Sequence, residues 1–197
     1  MYITMKDFRF CLDTAAEMTE QYKLYVLAAE GFPRSVDNLL ELCTQHQQKQ
    51  IEVQTLDLKD KAISGMYVNF GTRYAIVVDV GLNQCWKRFV ICKELFHVLL
   101  DAEEYRNMNI YAHLEEVKST FPLPDSHPGS AAISEAMAEI AAMEFLFPYS
   151  SRVAELAQNA TPDYLALAHK YKIPQVFVEN YLSPSYMENI GAMFPGN

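Results

Sequence analysis

The sequence predicts an α+β fold that is mostly helical, with a small three-stranded antiparallel sheet directly before one buried helix. Three observations carry this prediction. Apolar residues recur at helical spacing in the first fifty residues and again beyond residue 130, and β-branched and aromatic residues are concentrated between residues 51 and 80. The stretch 88–101 is apolar apart from a few ionisable side chains.

Composition indicates a globular domain that does not bind nucleic acid directly. The chain has 197 residues, of which 50% are hydrophobic, so it can bury a core as one domain. Its 16 Lys and Arg against 25 Asp and Glu give a formal charge of -9, which repels polyanions. We see no signal-peptide core and no apolar run that could span a bilayer, and the four Cys show no C-x-x-C spacing. We therefore expect a cytoplasmic protein without membrane association.

The first elements are helices, followed by strands. One helix is predicted up to Gly31 and Pro33, which end its pattern, and a short second helix runs through Cys43. Strands are predicted over residues 51–58, 65–70 and 74–80. Because a hairpin-like connection joins the last two, we expect the sheet to be antiparallel.

The helix predicted over residues 88–101 has a single polar stripe. On a helical wheel Lys93, Glu94, His97 and Asp101 fall within an arc of about 100°. Lys and Glu are rarely buried without partners. The stripe must therefore face water, a counter-charge or a metal.

The spacing Lys93-Glu94-x-x-His97 is that of the zinc-protease helix His-Glu-x-x-His, with one change. In that motif two His four residues apart ligate zinc, and the Glu acts as general base on the zinc-bound water. Here Lys93 replaces the first ligand. Its ammonium has three donors and no lone pair, so it cannot ligate a cation unless its pKa falls far enough to leave it neutral.

A second informative helix is predicted from Ser130, as its N-cap, to Phe147, just before Pro148. One face of this helix combines two carboxylates with small and apolar residues: Glu135, Ala138, Glu139, Ala142 and Leu146. Such a face would allow another helix to approach closely and would present carboxylates to it. An ordinary solvated Glu pair explains the same spacing.

The tail, residues 149–197, is predicted to be a helical appendage that packs on a domain of residues 1–148. Within the tail, Thr161 and Pro162 predict the N-cap and first residue of a helix. Further short amphipathic helices follow.

The order of these parts resembles the ImmA/IrrE family of metallopeptidases, whose fold is zincin-like. In that family a helical start and a small sheet lead into Arg-Phe-x-x-x-His-Glu-x-x-His, which resembles the run from Arg88 to His97 here. The second family signature is Glu-x-x-Ala-Asn-x-Phe-Ala-x-x-Leu-Leu-x-Pro. Aligned on Pro148, it places its first Glu at Glu135, with Glu139 where the family has Asn.

The resemblance implies zinc as cofactor and a function like that of zinc endopeptidases that cleave transcriptional repressors, often in phages, mobile elements or stress responses. Carried over residue by residue, Glu94 would be the general base, and His97 and Glu135 would be two zinc ligands. Lys93 departs from the pattern at the remaining ligand position. Catalytic zinc usually has three protein ligands and one open position for water.

Three hypotheses follow from these observations. The first is a catalytically impaired pseudo-peptidase that binds a protein partner such as a transcriptional repressor, with Lys93 paired to Glu135 and Glu94 in place of a metal. The second is an active zinc endopeptidase in which Asp101 or His127 completes the ligand set, or in which a desolvated Lys93 is neutral. The third is a purely structural or interaction module whose polar stripe is a packed charge network.

Overall fold

The computed structural model describes residues 3–26, 31–59, 63–100 and 130–194. Its elements, in chain order, are α1 (Met5–Val26), α2 (Val36–Gln47), β1 (Gln50–Leu56), β2 (Gly65–Asn69), β3 (Arg73–Asp79), α3 (Gln84–Leu99), α4 (Ser130–Leu146), α5 (Tyr149–Gln158), α6 (Tyr164–Tyr171), α7 (Gln175–Tyr181) and α8 (Pro184–Gly191). The predicted α+β fold, mostly helical with a three-stranded sheet before α3, is confirmed. No described helix combines the length and apolar character needed to cross a membrane.

The sheet is mixed, so the prediction of an entirely antiparallel sheet is wrong. The strand order is β1-β3-β2, with β2 antiparallel to β3 and β1 parallel to β3. Ile51 of β1 is opposite Tyr74, and Tyr67 of β2 is opposite Ile76. After β1 the chain passes to the far edge of the sheet and returns as β3 in the middle. The predicted hairpin of β2 and β3 is confirmed. No turn residues in the sequence indicated with which strand, or in which direction, β1 pairs.

Helices α3 and α4 pack against each other at the centre of the molecule, with α1 against α4 and the strands β2 and β3 against α3. Ala138 and Ala142 of α4 are fully buried. Because residues four apart lie on the same side of a helix, these two small side chains leave room for a neighbouring helix. The two polar faces of α3 and α4 are thereby brought together.

The helix ends follow local capping chemistry. The side chain of Asn83 accepts a hydrogen bond from the backbone N–H of Trp86 and starts α3. The cap predicted at Thr161 is wrong, because Asp163 caps α6 by accepting the Ala166 N–H at 3.0 Å. The N–H and hydroxyl of Thr161 instead donate to Asn159 Oδ1. Thr161 is therefore engaged in a turn before the helix.

The helices after Pro148 contact the motif helix directly. Phe177 of α7 stacks on Phe89 of α3 with ring centroids 3.9 Å apart, and Trp86 lies edge-on to Phe177 at 5.5 Å. Arg152 of α5 is fully buried and forms an ion pair with Glu144 of α4. Through these contacts the tail helices fix the two helices that carry the predicted site.

Candidate functional site

The polar stripe of α3 faces α4 and β2. Glu94 and His97 are buried, at 2% and 4% exposure, and the side chain of Lys93 is 17% exposed. Strand β2 lies close against this stretch because Gly65 has no side chain. A Cβ at that position would overlap Val90 and lie 3.7 Å from Glu94 Cγ.

Lys93 forms two ion pairs with carboxylates. Its Nζ donates to Glu135 Oε2 at 2.5 Å and lies 3.2 Å from Glu94 Oε1. Burial alone would lower the pKa of Lys93, but the charges of Glu94 and Glu135 outweigh burial and raise it above its ordinary value. The structure therefore holds Lys93 as an ammonium, which has no lone pair for a metal.

Glu135 connects Lys93 to His97. Its Oε1 lies 3.0 Å from His97 Nε2, although this close approach does not meet the geometry of a hydrogen bond. Burial would raise the pKa of Glu135, but the charge of Lys93 and the adjacent His97 lower it well below its usual range. Glu135 is thus an ionised carboxylate with one oxygen facing each partner.

The imidazole of His97 is held on two further sides. Ser134 Oγ lies 3.3 Å from His97 Nδ1, and the ring of Tyr67 stacks on the imidazole at 5.7 Å with planes 17° apart. Which of the two nitrogens carries the proton depends on the tautomer. In either tautomer, Nε2 is the atom that faces Glu135.

A second carboxylate of α4 is held by a tail helix. Tyr181 Oη donates to Glu139 Oε1 at 3.2 Å, and burial raises the pKa of Glu139. Tyr181 is itself packed against Tyr186 and the Arg152 guanidinium. The Glu pair of α4 is therefore not an ordinary solvated pair, since Glu135 and Glu139 both have buried partners.

The structure brings together Lys93, Glu94, His97 and Glu135, the four site residues predicted from the sequence. Asp101 and His127, the alternative ligands, lie outside the described residues. Sequence reasoning missed the contacts of Tyr67, Ser134 and Tyr181. No local signal could have found them, because each contact joins segments separated by at least 30 residues.

A helix that presents Lys93, Glu94 and His97 to a carboxylate on a second helix, beside an edge strand, defines a zincin-like protein. The family model described as the IrrE N-terminal-like domain, of the peptidase M78 group, matches residues 46–183. The chain therefore belongs to this ImmA/IrrE-type family of metallopeptidase-like proteins.

A comparison with solved structures adds the fold and nothing more. A solved structure of a Mycobacterium tuberculosis transcriptional regulator is similar, with a TM-score of 0.51 and 14% identity over 89% of this chain. The chain spans 49% of that protein. No curated protein matches the chain.

The described residues do not fit the zinc that the family implies. His97 Nε2 and Glu135 Oε1 converge, but within the described ranges no three His, Cys, Asp or Glu side chains form a group that could hold a metal. Catalytic zinc usually has three protein ligands. In addition, the ammonium of Lys93 already binds Glu135 and repels a second cation at the same carboxylate.

Proposed function

We propose that the protein is a catalytically impaired pseudo-peptidase that binds a protein partner, with the ammonium of Lys93 standing in for the metal. The observation that carries this proposal is the 2.5 Å contact between Lys93 Nζ and Glu135 Oε2. On this proposal Glu94 keeps the position of the general base, and His97 and Glu135 keep the positions of zinc ligands. The residues of the site then stabilise the contact between α3 and α4 and do not cleave a peptide.

Charge balance supports this proposal. A buried carboxylate needs a counter-charge, and in a metallopeptidase the metal supplies it. Here Lys93 supplies a positive charge to both Glu94 and Glu135. On this proposal the charges at the α3–α4 interface are balanced without a metal cation.

Strand β2, at the edge of the sheet, offers a way to bind the partner. Strand β2 pairs with β3 on one side, and none of the strands that the structure describes pairs with its other side. An extended peptide can add to such an edge through main-chain hydrogen bonds. We therefore propose that an extended segment of the partner lies along β2, above the stripe of α3.

We propose that the protein acts in the cytoplasm and that its partner is a protein of the transcriptional-regulator type. The family resemblance supports this choice, and the similar solved structure is itself called a transcriptional regulator. We further propose that residues 1–148 carry the site and that residues 149–197 pack on them as a helical appendage. The contact between Tyr181 and Glu139 supports this arrangement.

An active zinc endopeptidase is the second candidate function. The observation in its favour is that His97 Nε2 and Glu135 Oε1 lie 3.0 Å apart, as two ligands of one ion could do after Lys93 moved away. Glu94 would then act as general base. This candidate needs a third ligand from outside the described residues.

One experiment tests both candidates. A displayed library of random decapeptides is selected on the wild-type protein, and the recovered peptides are synthesised and measured by fluorescence anisotropy. We expect Tyr67→Ala on β2 to weaken binding, and Gln54→Ala, at an exposed position on the opposite edge strand β1, to have no effect.

The bound peptides are then incubated with the protein and zinc and analysed by mass spectrometry. Intact peptides are the expected result for a pseudo-peptidase. Cleavage that is abolished by a chelator and by Glu94→Gln would instead establish the active endopeptidase. Selection that yields no peptide dependent on Tyr67 would contradict the proposed binding along β2.

A further inference from the structure

We infer that two copies of the chain associate through strand β1, whose outer edges pair antiparallel across a two-fold axis at Val53. This inference concerns a surface other than the predicted site, so it does not depend on the proposed function. Strand β1 is an edge of the sheet, and among the strands that the structure describes it pairs with β3 alone. The occupant that fits its outer edge is the β1 strand of a second copy.

The backbone of β1 identifies the groups on its outer edge. The carbonyl oxygen of Leu56 accepts the Val80 N–H at 2.8 Å, so the backbone groups of Leu56 point towards β3. Because these directions alternate along a strand, the N–H and C=O groups of Ile51, Val53 and Thr55 point away from β3. None of the hydrogen bonds between described residues engages these outward groups. The outer edge therefore carries a row of donors and acceptors that a further strand can pair with.

This row of donors and acceptors is complementary to itself. In an antiparallel pair of strands, hydrogen-bonded residues lie opposite each other and exchange both N–H···O bonds. When Val53 lies opposite Val53 of a second copy, Ile51 of each copy lies opposite Thr55 of the other. Every outward N–H of one copy then meets an outward C=O of the other. Both copies use the same surface, so the association closes as a dimer.

The side chains of β1 favour this register. In it, Glu52 of each copy lies opposite Gln54 of the other, so a side-chain amide faces a carboxylate. The Glu52 carboxylate is also paired with Arg73 at 2.9 Å, which compensates its charge. A register centred on Glu52 would instead place two like charges opposite each other, which destabilises an antiparallel pair.

Strand β1 lacks the features that keep the edges of sheets apart. Its seven residues, Gln50–Leu56, include no Lys and no Pro, and its register with β3 contains no bulge. Natural proteins use such residues and bulges to protect exposed edges. The strand is also accessible, since Gln54 and Thr55 are exposed and Leu56 is 50% exposed. Pairing of two copies would place Leu56 opposite Gln50 of the second copy.

Charge changes at Gln54 test the inference without altering the core, because this position is exposed. Gln54→Lys places a positive charge opposite Glu52 of the second copy and should tighten the dimer, whereas Gln54→Glu places a like charge there and should weaken it. Since the two-fold axis repeats the pair, we expect the dissociation constant from sedimentation equilibrium to change about fivefold in each direction. Gln158→Glu, at an exposed position at the end of α5, adds the same charge as Gln54→Glu and should leave the wild-type value unchanged.

Disulfide cross-linking tests the register. In a Cys85→Ser background, the other native cysteines are buried. Val53→Cys would place its thiol opposite the same thiol of the second copy, at a Cα separation that a disulfide can span. A mild oxidant should therefore convert this variant to a covalent dimer of twice the 22.5 kDa chain mass. Thr55→Cys is the matched control, because it would lie opposite Ile51 and should not be cross-linked.

The expected result is a dimer that responds in opposite directions to the two Gln54 changes and that is cross-linked through Val53→Cys. A protein that stays monomeric up to about 1 mM would overturn the inference. A dimer that does not respond to either Gln54 change, or that is not cross-linked through Val53→Cys, would also overturn it, because the copies would then associate through another surface.

Discussion

Lys93 Nζ and Glu135 Oε2 lie 2.5 Å apart and join α3 to α4 across 42 residues of sequence. The pair has Glu94 and His97 as close neighbours, so four ionisable side chains share one small volume. In a low-dielectric interior such charges interact strongly, and each depends on the others. Changing one of them should therefore alter both stability and metal affinity.

Lys93→Met should lower the free energy of unfolding by about 3 kcal/mol, the lower end of the cost of breaking a buried ion pair. The lower end applies because the Glu135 side chain is 32% exposed. The variant leaves Glu94 and Glu135 without a counter-charge. Chemical denaturation monitored by circular dichroism measures the change.

Two controls accompany this variant. Lys23→Met removes the ion pair with Glu20, whose side chain is 70% exposed, and should cost less than about 1 kcal/mol. The double variant Lys93→Met/Glu135→Gln should recover part of the loss, because one unpaired charge is gone. Equal stability of the wild-type protein and Lys93→Met would contradict the structural role of the pair.

Lys93→His should create a zinc site. The imidazole would replace the repelling ammonium and, with His97 and Glu135, would complete a set of three protein ligands. Elemental analysis after incubation with zinc and gel filtration should find about one zinc per chain in this variant and none in the wild-type protein. The matched control is Lys93→His/Glu135→Gln, which lacks a ligand and should bind zinc weakly. Stoichiometric zinc in the wild-type protein would show that a residue outside the described ranges completes the site.

The stability of the protein should depend on pH through Glu135. Burial acts to raise its pKa, but Lys93 and His97 outweigh burial, so the pKa in the folded state lies below the ordinary value of 4.5. If folding lowers the pKa of a carboxyl group, that group stabilises the folded protein at pH values above its pKa in the unfolded state. This stability is lost as the pH falls through the pKa of the folded state. Below pH 4.5 the unfolding free energy of the wild-type protein should fall more steeply than that of Glu135→Gln.

The ion pair of Lys93 and Glu135 should also make the stability of the protein depend on pH in the alkaline range. Burial acts to lower the pKa of Lys93, but the two carboxylates raise it above its ordinary value of 10.5. The stability that the charged Lys93 adds is therefore complete below pH 10.5 and is lost as the pH rises through the pKa of the folded state. Denaturation curves of the wild-type protein and Glu135→Gln across the full pH range measure both effects. Parallel curves at acidic pH would argue against an ionised Glu135 paired with Lys93.

Gly65→Ala should destabilise the contact between β2 and α3. The added Cβ would overlap Val90 Cγ1 and lie 3.0 Å from the Val77 carbonyl oxygen, so the strand must move away from the helix. Overpacking of this kind costs about 1–3 kcal/mol, which thermal unfolding can measure. Gly81→Ala is the matched control, because its Cβ would meet Asp79 Oδ1 at an ordinary 3.5 Å. Equal melting temperatures for both variants would contradict the close packing of β2.

The sequence predicted the parts of the site that follow from helical periodicity. Lys93, Glu94 and His97 lie on one face because His97 follows Glu94 by three residues and Lys93 by four, and the family signature placed Glu135 opposite them. Periodicity could not predict the partners that come from tertiary packing. Ser134 beside His97 and Tyr181 beside Glu139 result from how the helices meet.

The same limit applies to the fold. The hairpin of β2 and β3 is local and was predicted, whereas the parallel pairing of β1 with β3 requires knowledge of where the chain passes between them. At Thr161 the pattern favoured a cap, but Asn159 competes for its hydroxyl and N–H, and Asp163 takes the capping position. Competing hydrogen bonds of similar strength cannot be ranked from composition.

Trp86 is the single tryptophan of the chain, and it lies edge-on to Phe177 at 5.5 Å and to Phe89 at 6.4 Å. It is therefore an intrinsic fluorophore located where α7 touches the start of the motif helix. Separation of α7 from α3 would expose the half-buried indole to water and move its emission to longer wavelength. The fluorescence of Trp86 thus reports, without any label, whether α7 stays docked on α3 when a peptide is bound.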